Sequence, residues 1–492
     1  MPATDNADSA ALARGGRTNF LGFLLRLAAR FPFLVLAARL YGAPELGRFA
    51  YATMAAEFAA ALAVFGLKRG LAQELARRHP DGAPADPADD ARVVADALTL
   101  GLGLGLVAVV ILLLLPMLLF PDGMSHPAQR WLALVVPFVV VSEITLAALA
   151  FRHRIAAAVR ARSVAEPWVL TVSGIALAFT PLRHSGLLIA YFLSMTSAAA
   201  ASVYPAWRQF RTPPGWRPSA RRSLAMARRN LPLAGAETIE WATRRLDMFI
   251  LGRFVSAEVI GIYYVAQQVA TLAGKVRSSF DPILAPMLST ALSRGRMAES
   301  AAQIRQVGFW LLAFEVPIVL ALALPAEGVL GLFGPAFAAG GLALALLLVA
   351  ELMAASAGLS EMALIYTAPR LNLLVSGLGL LFQAVLSLLI VPKLGATGAA
   401  FGLCASVAAV AVTKQFLLGR ALGTPVVVWR WSLVGAALPA IALGTAARLL
   451  PELAQMLITI PGVLLLFAVT IWHVGFGPQD RLLFARHRPI RH

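Results

Sequence analysis

Glu237, Glu240, Arg244 and Asp247 follow one another at spacings of 3, 4 and 3, with Arg245 beside them. On a helix that spacing puts all four on one face. Glu240 precedes Arg244 in the favourable order for an ion pair, and Asp247 lies within reach of Arg244. The flanking sequence is apolar, and an ionised side chain at bilayer depth is costly unless it meets a partner or water. The stripe therefore reads as a salt-bridge ladder, as the lining of a solvated cavity, or as both. Earlier in the chain Arg26 and Arg30 are four apart and share a face in the same way. Guanidinium groups are always charged and offer a planar fork of donors, which suits them to binding an anion; for Arg26 the competing reading is snorkelling to the interface. Lys275, Arg277 and Asp281 form a third group, with Arg277 and Asp281 four apart, for which structural pairing competes with ligand contact. Five acids stand alone in apolar runs, Glu57, Glu143, Glu315, Glu351 and Glu361. Each is a candidate to bind a proton or Na+, and a hydrogen bond to a neighbouring helix is the commoner fate of such a residue.

Other chemistries lack their residues. No Gly-x-x-x-x-Gly-Lys-Ser/Thr loop is present, which argues against ATP hydrolysis. The single cysteine, Cys404, allows neither an intrachain disulfide nor a thiolate cluster, and no metal-ligand spacing of His is found. No catalytic residue, metal or organic cofactor is expected, only coupling to H+ or Na+. Trp241, one residue from the charged stripe, is read as packing or as a platform for a sugar ring.

The elements that would position these residues are membrane helices. Of 492 residues, 59% are hydrophobic and 14% are charged, against roughly 25% charged in an average soluble domain. Helices are expected near 20–40, 49–66, 93–120, 129–150, 166–182, 186–206, 231–251, 257–291, 307–326, 336–366, 371–391, 396–418, 428–448 and 455–475. Alternate connections hold 29 and 6 of the 42 Lys and Arg residues, so the positive-inside rule puts both termini in the cytoplasm of an inner-membrane protein. The net charge of +17 is thereby explained by topology rather than by nucleic acid, which is not an expected partner. The arginine-rich stretch 207–230 reads as a linker between an N-lobe at 20–206 and a C-lobe at 231–420. Residues 1–19 and 476–492 are then tails, and 421–475 supplies two further helices. A shift of 214 residues lays Arg30 on Arg244, Arg39 on Arg253, Ala43 on Ala257, Gly47 on Gly261 and Ala52 on Ala266, a faint repeat that supports the two-lobe division.

The segments Leu40-Tyr-Gly-Ala-Pro-Glu-Leu-Gly-Arg-Phe-Ala-Tyr51, Arg245-Leu-Asp-Met-Phe-Ile-Leu-Gly-Arg-Phe254, Gly261-Ile-Tyr-Tyr-Val-Ala266, Leu332-Phe-Gly-Pro335 and Gly395-Ala-Thr-Gly-Ala-Ala-Phe-Gly402 resemble the oligosaccharide flippases of bacterial polysaccharide export. The likeness runs over about residues 18–420. It implies an all-α integral membrane fold of about fourteen helices, of the multidrug/oligosaccharidyl-lipid/polysaccharide exporter type. The implied activity is translocation of an undecaprenyl-pyrophosphate-linked oligosaccharide. Membrane lipids, and a polymerase and glycosyltransferases of the same pathway, would be its partners. On that reading Arg26, Arg30, Arg244, Arg245, Lys275 and Arg277 contact the substrate, with Arg30 and Arg244 contributed by the two lobes, and Glu237, Glu240 and Asp247 are cavity or coupling carboxylates. The related lipid II flippases carry an Arg-Asp pair in the first helix where this chain reads Phe31-Pro-Phe-Leu34, a departure that argues against a peptidoglycan precursor. A multidrug antiporter of the same superfamily, which would favour carboxylates and aromatics over arginines, is the main alternative. A polymerase or ligase is a weaker one, because no large external loop is found.

Overall fold

The computed structural model describes residues 3–78, 87–124, 127–152, 154–211, 215–275, 296–447, 452–477 and 480, which form helices and turns without a β-strand. The helices of the first half are α1 (Ala3–Val64), α2 (Leu67–Arg77), α3 (Pro87–Leu114), α4 (Val135–Phe151), α5 (Glu166–Ala178) and α6 (Arg183–Gln209). Those of the second half are α7 (Ala220–Phe254), α8 (Ala257–Ala273), α9 (Met297–Ala323), α10 (Gly341–Thr367), α11 (Pro369–Leu422), α12 (Trp431–Ala446) and α13 (Glu452–Thr470). Eight helices among the described residues are long and apolar enough to cross a membrane. α7 is not one of them, because its central stretch holds the charged stripe.

α1 and α11 are each two helices joined at a glycine, Gly42 with φ +80° and Gly395 with φ +54°. Only glycine enters this region without a steric penalty, so the chain turns sharply while continuing to count as helical on both sides. Divided there, and with α2 and the short helices Ile155–Val159 and Ala326–Gly331 set aside, the described residues contain fourteen α-helical segments, each overlapping one of the segments expected from hydropathy. Several boundaries differ. The 257–291 helix is described only to Ala273, and the arginine-rich linker is mostly helix, since α6 runs to Gln209 and α7 already starts at Ala220. Ala220–Arg229 is made of Ala, Arg, Leu, Met and one Ser, most of them strong helix formers that need no apolar environment to stay helical. α2 likewise lies within the connection expected at 67–92.

The chain divides into two compact units, Met1–Arg245 with Ser256–Gly261, and Leu246–Val255 with Ile262–His492. In the first unit α5 packs chiefly on α6 and α1, and α4 on α6 and α3. Phe33, Phe49 and Tyr191 meet edge to face with centroids 6.1 Å apart, each pair contributing about 1 kcal/mol beyond its burial. The Tyr41 hydroxyl donates to the Gly174 carbonyl at 2.6 Å, so the aromatic body is buried while its polar tip is satisfied. In the second unit α10 lies along both α11 and α9, over a core of Leu311, Leu359, Leu364, Leu418 and Val426.

The faint repeat has a structural counterpart inside the first unit. A Cβ on Gly47 would overlap the Ala257 carbonyl, and a Cβ on Gly261 would overlap the Ala43 carbonyl. The same 214-residue offset relates Ala43 to Ala257 and Gly47 to Gly261. Each copy therefore offers its glycine to the equivalent carbonyl of the other, the self-complementary contact of a local two-fold.

Candidate functional site

The most connected charged constellation is a track through the first unit. The chain between α4 and α5 continues as a short helix, Ile155–Val159, and a π-helical turn, Arg160–Ala165, that runs directly into α5. Such turns insert an extra residue into the helix and re-aim its side chains. The one here presents Arg162 to two acids at once, Glu143 of α4 and Glu166 of α5, the latter at 2.8 Å. Lys68 of α2 approaches Glu143 at 2.5 Å, and Arg26 of α1 approaches Glu166 at 3.9 Å. Arg162, Glu143 and Glu166 have side-chain exposures of only 22%, 20% and 17%. Beside them the Tyr191 hydroxyl donates to Glu57 at 3.0 Å. The next residue of α2, Arg69, turns to α7, reaching Glu240 at 3.1 Å and Glu237 at 3.8 Å, and Arg244 joins Glu240 at 3.5 Å. At this end Arg69, Glu240 and Arg244 are 57%, 49% and 69% exposed.

The track thus grades from a half-buried cluster, where every charge has a partner, to an open end. α7 has 35 residues, about 52 Å of helix, and Glu237 to Arg244 lie in its middle. Exposed charges at mid-helix cannot face lipid, so this end borders polar space.

The residues expected at a site are distributed as follows. Arg26 belongs to the track through Glu166, and Arg30 is exposed on α1 with no ion pair among the described residues. Glu237, Glu240 and Arg244 are in the track, and Arg245 is half-buried next to it. Asp247 departs from the expected ladder. It is fully buried and accepts hydrogen bonds from the Tyr263 hydroxyl and, at 3.2 Å, from the Gln267 amide, both on α8. One turn beyond Arg244, α7 has passed from solvent into packing, and the carboxylate accepts from the Tyr263 and Gln267 side chains of α8. Trp241 stacks on Phe58 at 4.6 Å, which makes it a packing residue. Lys275 is exposed at the end of α8, while Arg277 and Asp281 lie outside the described residues.

The hydropathy reading missed Lys68, Arg69, Arg162 and Glu166, the first three having been counted as connection residues. A local signal existed, since Arg162 and Glu166 are four apart, but the π turn that aims Arg162 has none. The supposedly lone acids are not alone: besides Glu57 and Glu143, Glu361 pairs at 3.0 Å with Lys414, a buried residue of α11 that also donates to Ser376 at 3.0 Å. Glu351 lies against Gly274, and Glu315 is fully buried on α9.

A lipid II flippase, MurJ in an inward closed conformation, superposes with a TM-score of 0.76 at 12% identity, covering 96% of this chain and 100% of that one. An inward-facing multidrug resistance MATE family transporter gives 0.63 at 15% identity over 81% and 98% of the two chains. A transporter of the multidrug/oligosaccharidyl-lipid/polysaccharide superfamily from Pyrococcus furiosus gives 0.56 at 15% identity over 84% and 95%. At these identities the likeness is one of fold. No curated protein matches the chain in sequence. Residues 35–339, more than half of the chain, match the model of a family described as polysaccharide biosynthesis protein. This integral membrane protein, with the fold shared by MurJ and the MATE transporters, belongs to that polysaccharide biosynthesis family.

Proposed function

We propose that the protein is a flippase that moves an undecaprenyl-pyrophosphate-linked oligosaccharide across the bacterial inner membrane by alternating access, with both termini in the cytoplasm. The observation that carries this reading is the charged track with its open end. A diphosphate crossing a bilayer needs donors that stay ionised and are already held in place, and guanidinium groups anchored by carboxylates provide both. Arg162 is fixed by Glu143 and Glu166, whereas Arg30 and Arg244 retain exposed donors for an anion. Sugars would occupy the polar space beside them. The family match to polysaccharide biosynthesis supports a glycan cargo, and the arginines favour an anionic cargo over the cationic drugs of a multidrug antiporter. The proposed role is transport without a catalytic step. Lipids of the membrane, and a polymerase and glycosyltransferases of the same pathway, are the partners it implies.

Transport against a gradient needs coupling, and Asp247 is the proposed carrier of H+ or Na+. Its carboxylate is buried, and Tyr263 and Gln267 can reorient around a bound cation or proton. The test is glycan export in a flippase-deficient strain, normalised to membrane-inserted protein. Wild-type protein is expected to restore export, and Arg30→Ala with Arg244→Ala to reduce it at normal abundance. Full export by the double variant would remove these arginines from the substrate path.

A further inference from the structure

A second basic site lies beside the track, on the same α2 and α7 but built from other charged residues. A cleft of about 350 Å3 opens in the first unit between α2, the start of α3 and the first turns of α7. Four arginines line it, Arg77, Arg78, Arg222 and Arg229, against two acids, Glu74 and Asp96. The acids are already engaged. Glu74 sits between Arg78 at 3.3 Å and Arg229 at 3.4 Å, while Asp96 accepts from Arg222 Nε and Trp216 Nε1, each at 2.9 Å. Asp96 is buried, so it fixes both the connection before α7 and the guanidinium of Arg222. Arg77 makes no ion pair among the described residues, and Arg78 and Arg229 each spend one nitrogen on Glu74. Among the described lining residues four guanidinium groups stand against two carboxylates, an excess of two positive charges, and Arg77 and parts of Arg78 and Arg229 hold N–H groups outside these ion pairs.

We infer that this cleft is a binding site for a phosphate group, either the headgroup phosphate of an anionic phospholipid or a free diphosphate. Bidentate guanidinium donors match phosphate oxygens in geometry and charge. The volume is near the lower end of the range for ligand pockets, which suits a headgroup or a pyrophosphate rather than a glycan. Arg222 and Arg229 are seven apart on the face of α7 that borders the cleft, and the equally exposed Arg221 and Arg228, also seven apart, line no part of it. The site is independent of the transport reading, because none of its four arginines belongs to the charged track.

The test uses the full chain in nanodiscs of phosphatidylcholine, alone or with phosphatidylglycerol, and of the variants Arg77→Gln/Arg229→Gln and Arg221→Gln/Arg228→Gln. Phosphatidylglycerol retained by the protein is read by native mass spectrometry, and inorganic pyrophosphate by the shift of the thermal transition in phosphatidylcholine discs. The cleft variant is expected to lose about tenfold in affinity for the probe that binds, while the control variant of equal charge loses less than about twofold. Retention of the lipid without a pyrophosphate response assigns the site to a headgroup, and a pyrophosphate response in the discs of phosphatidylcholine alone assigns it to a free diphosphate. Equal losses in the two variants would reduce the effect to general charge and overturn the site, as would the absence of binding by wild-type protein to either probe.

Discussion

Two largely buried charged groups, Arg162 of the first unit and Asp247 of the second, are held in different ways. In the first, charge is balanced by charge: Arg162, Glu143, Glu166 and Lys68 come from four elements and form a chain that leads to the exposed Glu240 and Arg244. In the second, Asp247 is fully buried and accepts from the Tyr263 hydroxyl and the Gln267 amide, while Lys414 with Glu361 and Arg430 with Asp480 pair charge with charge as in the first. A network of opposite charges is rigid, since removing one member leaves another buried and uncompensated. Tyr263 and Gln267 carry no charge, so a cation or proton on Asp247 leaves neither of them with an unbalanced one. The first arrangement suits holding an anionic cargo, the second suits exchanging a coupling ion.

The contrast can be broken most strongly at Arg162. Arg162→Ala leaves Glu143 and Glu166 without their shared base and is expected to destabilise the protein by about 3 kcal/mol, the scale for breaking a buried pair. Thermal unfolding of the purified protein reads this. Glu143→Ala combined with Arg162→Ala should recover part of that loss but not export, which separates folding from transport. At Asp247 the expected effect on stability is smaller. Asp247→Asn keeps an acceptor for Tyr263 and Gln267, so stability should change by only about 1 kcal/mol while ion-driven export falls to background. Export insensitive to this change would remove Asp247 from coupling. The smallest stability effect belongs to Arg244. Arg244→Ala breaks an exposed i,i+4 pair and should cost less than about 0.5 kcal/mol, with export decreasing in the order Arg, Lys, Ala because Lys keeps the charge but loses the fork.

The helices themselves were legible. Apolar runs and arginine-rich connections located fourteen segments, and the offset that pairs Gly47 with Gly261 marks two helices that touch through those glycines. Part of the site was legible as well, since Glu237, Glu240 and Arg244 announce themselves by helical spacing. The rest was hidden for physical reasons. Lys68, Arg69 and Arg162 look like interfacial basic residues; only the packing of α2 against α4 brings Lys68 to Glu143, and only the π turn before α5 turns Arg162 inward. Asp247 has the spacing of the stripe but not its surroundings, because one further turn along α7 exchanges solvent for α8.

The central claim is that the charged track of the first unit carries an anionic lipid-linked glycan. The most direct measurement is translocation of a fluorescent polyprenyl-pyrophosphate-linked sugar in proteoliposomes, comparing the wild-type chain with Arg26→Ala/Arg30→Ala/Arg244→Ala. The three arginines are exposed or at the edge of the network, so the variant should insert and unfold like wild type. Translocation by wild-type protein and a loss of at least about tenfold in the variant, of the order expected for removing charged donors to a phosphate, is the predicted result. Equal translocation by the two proteins would contradict the claim.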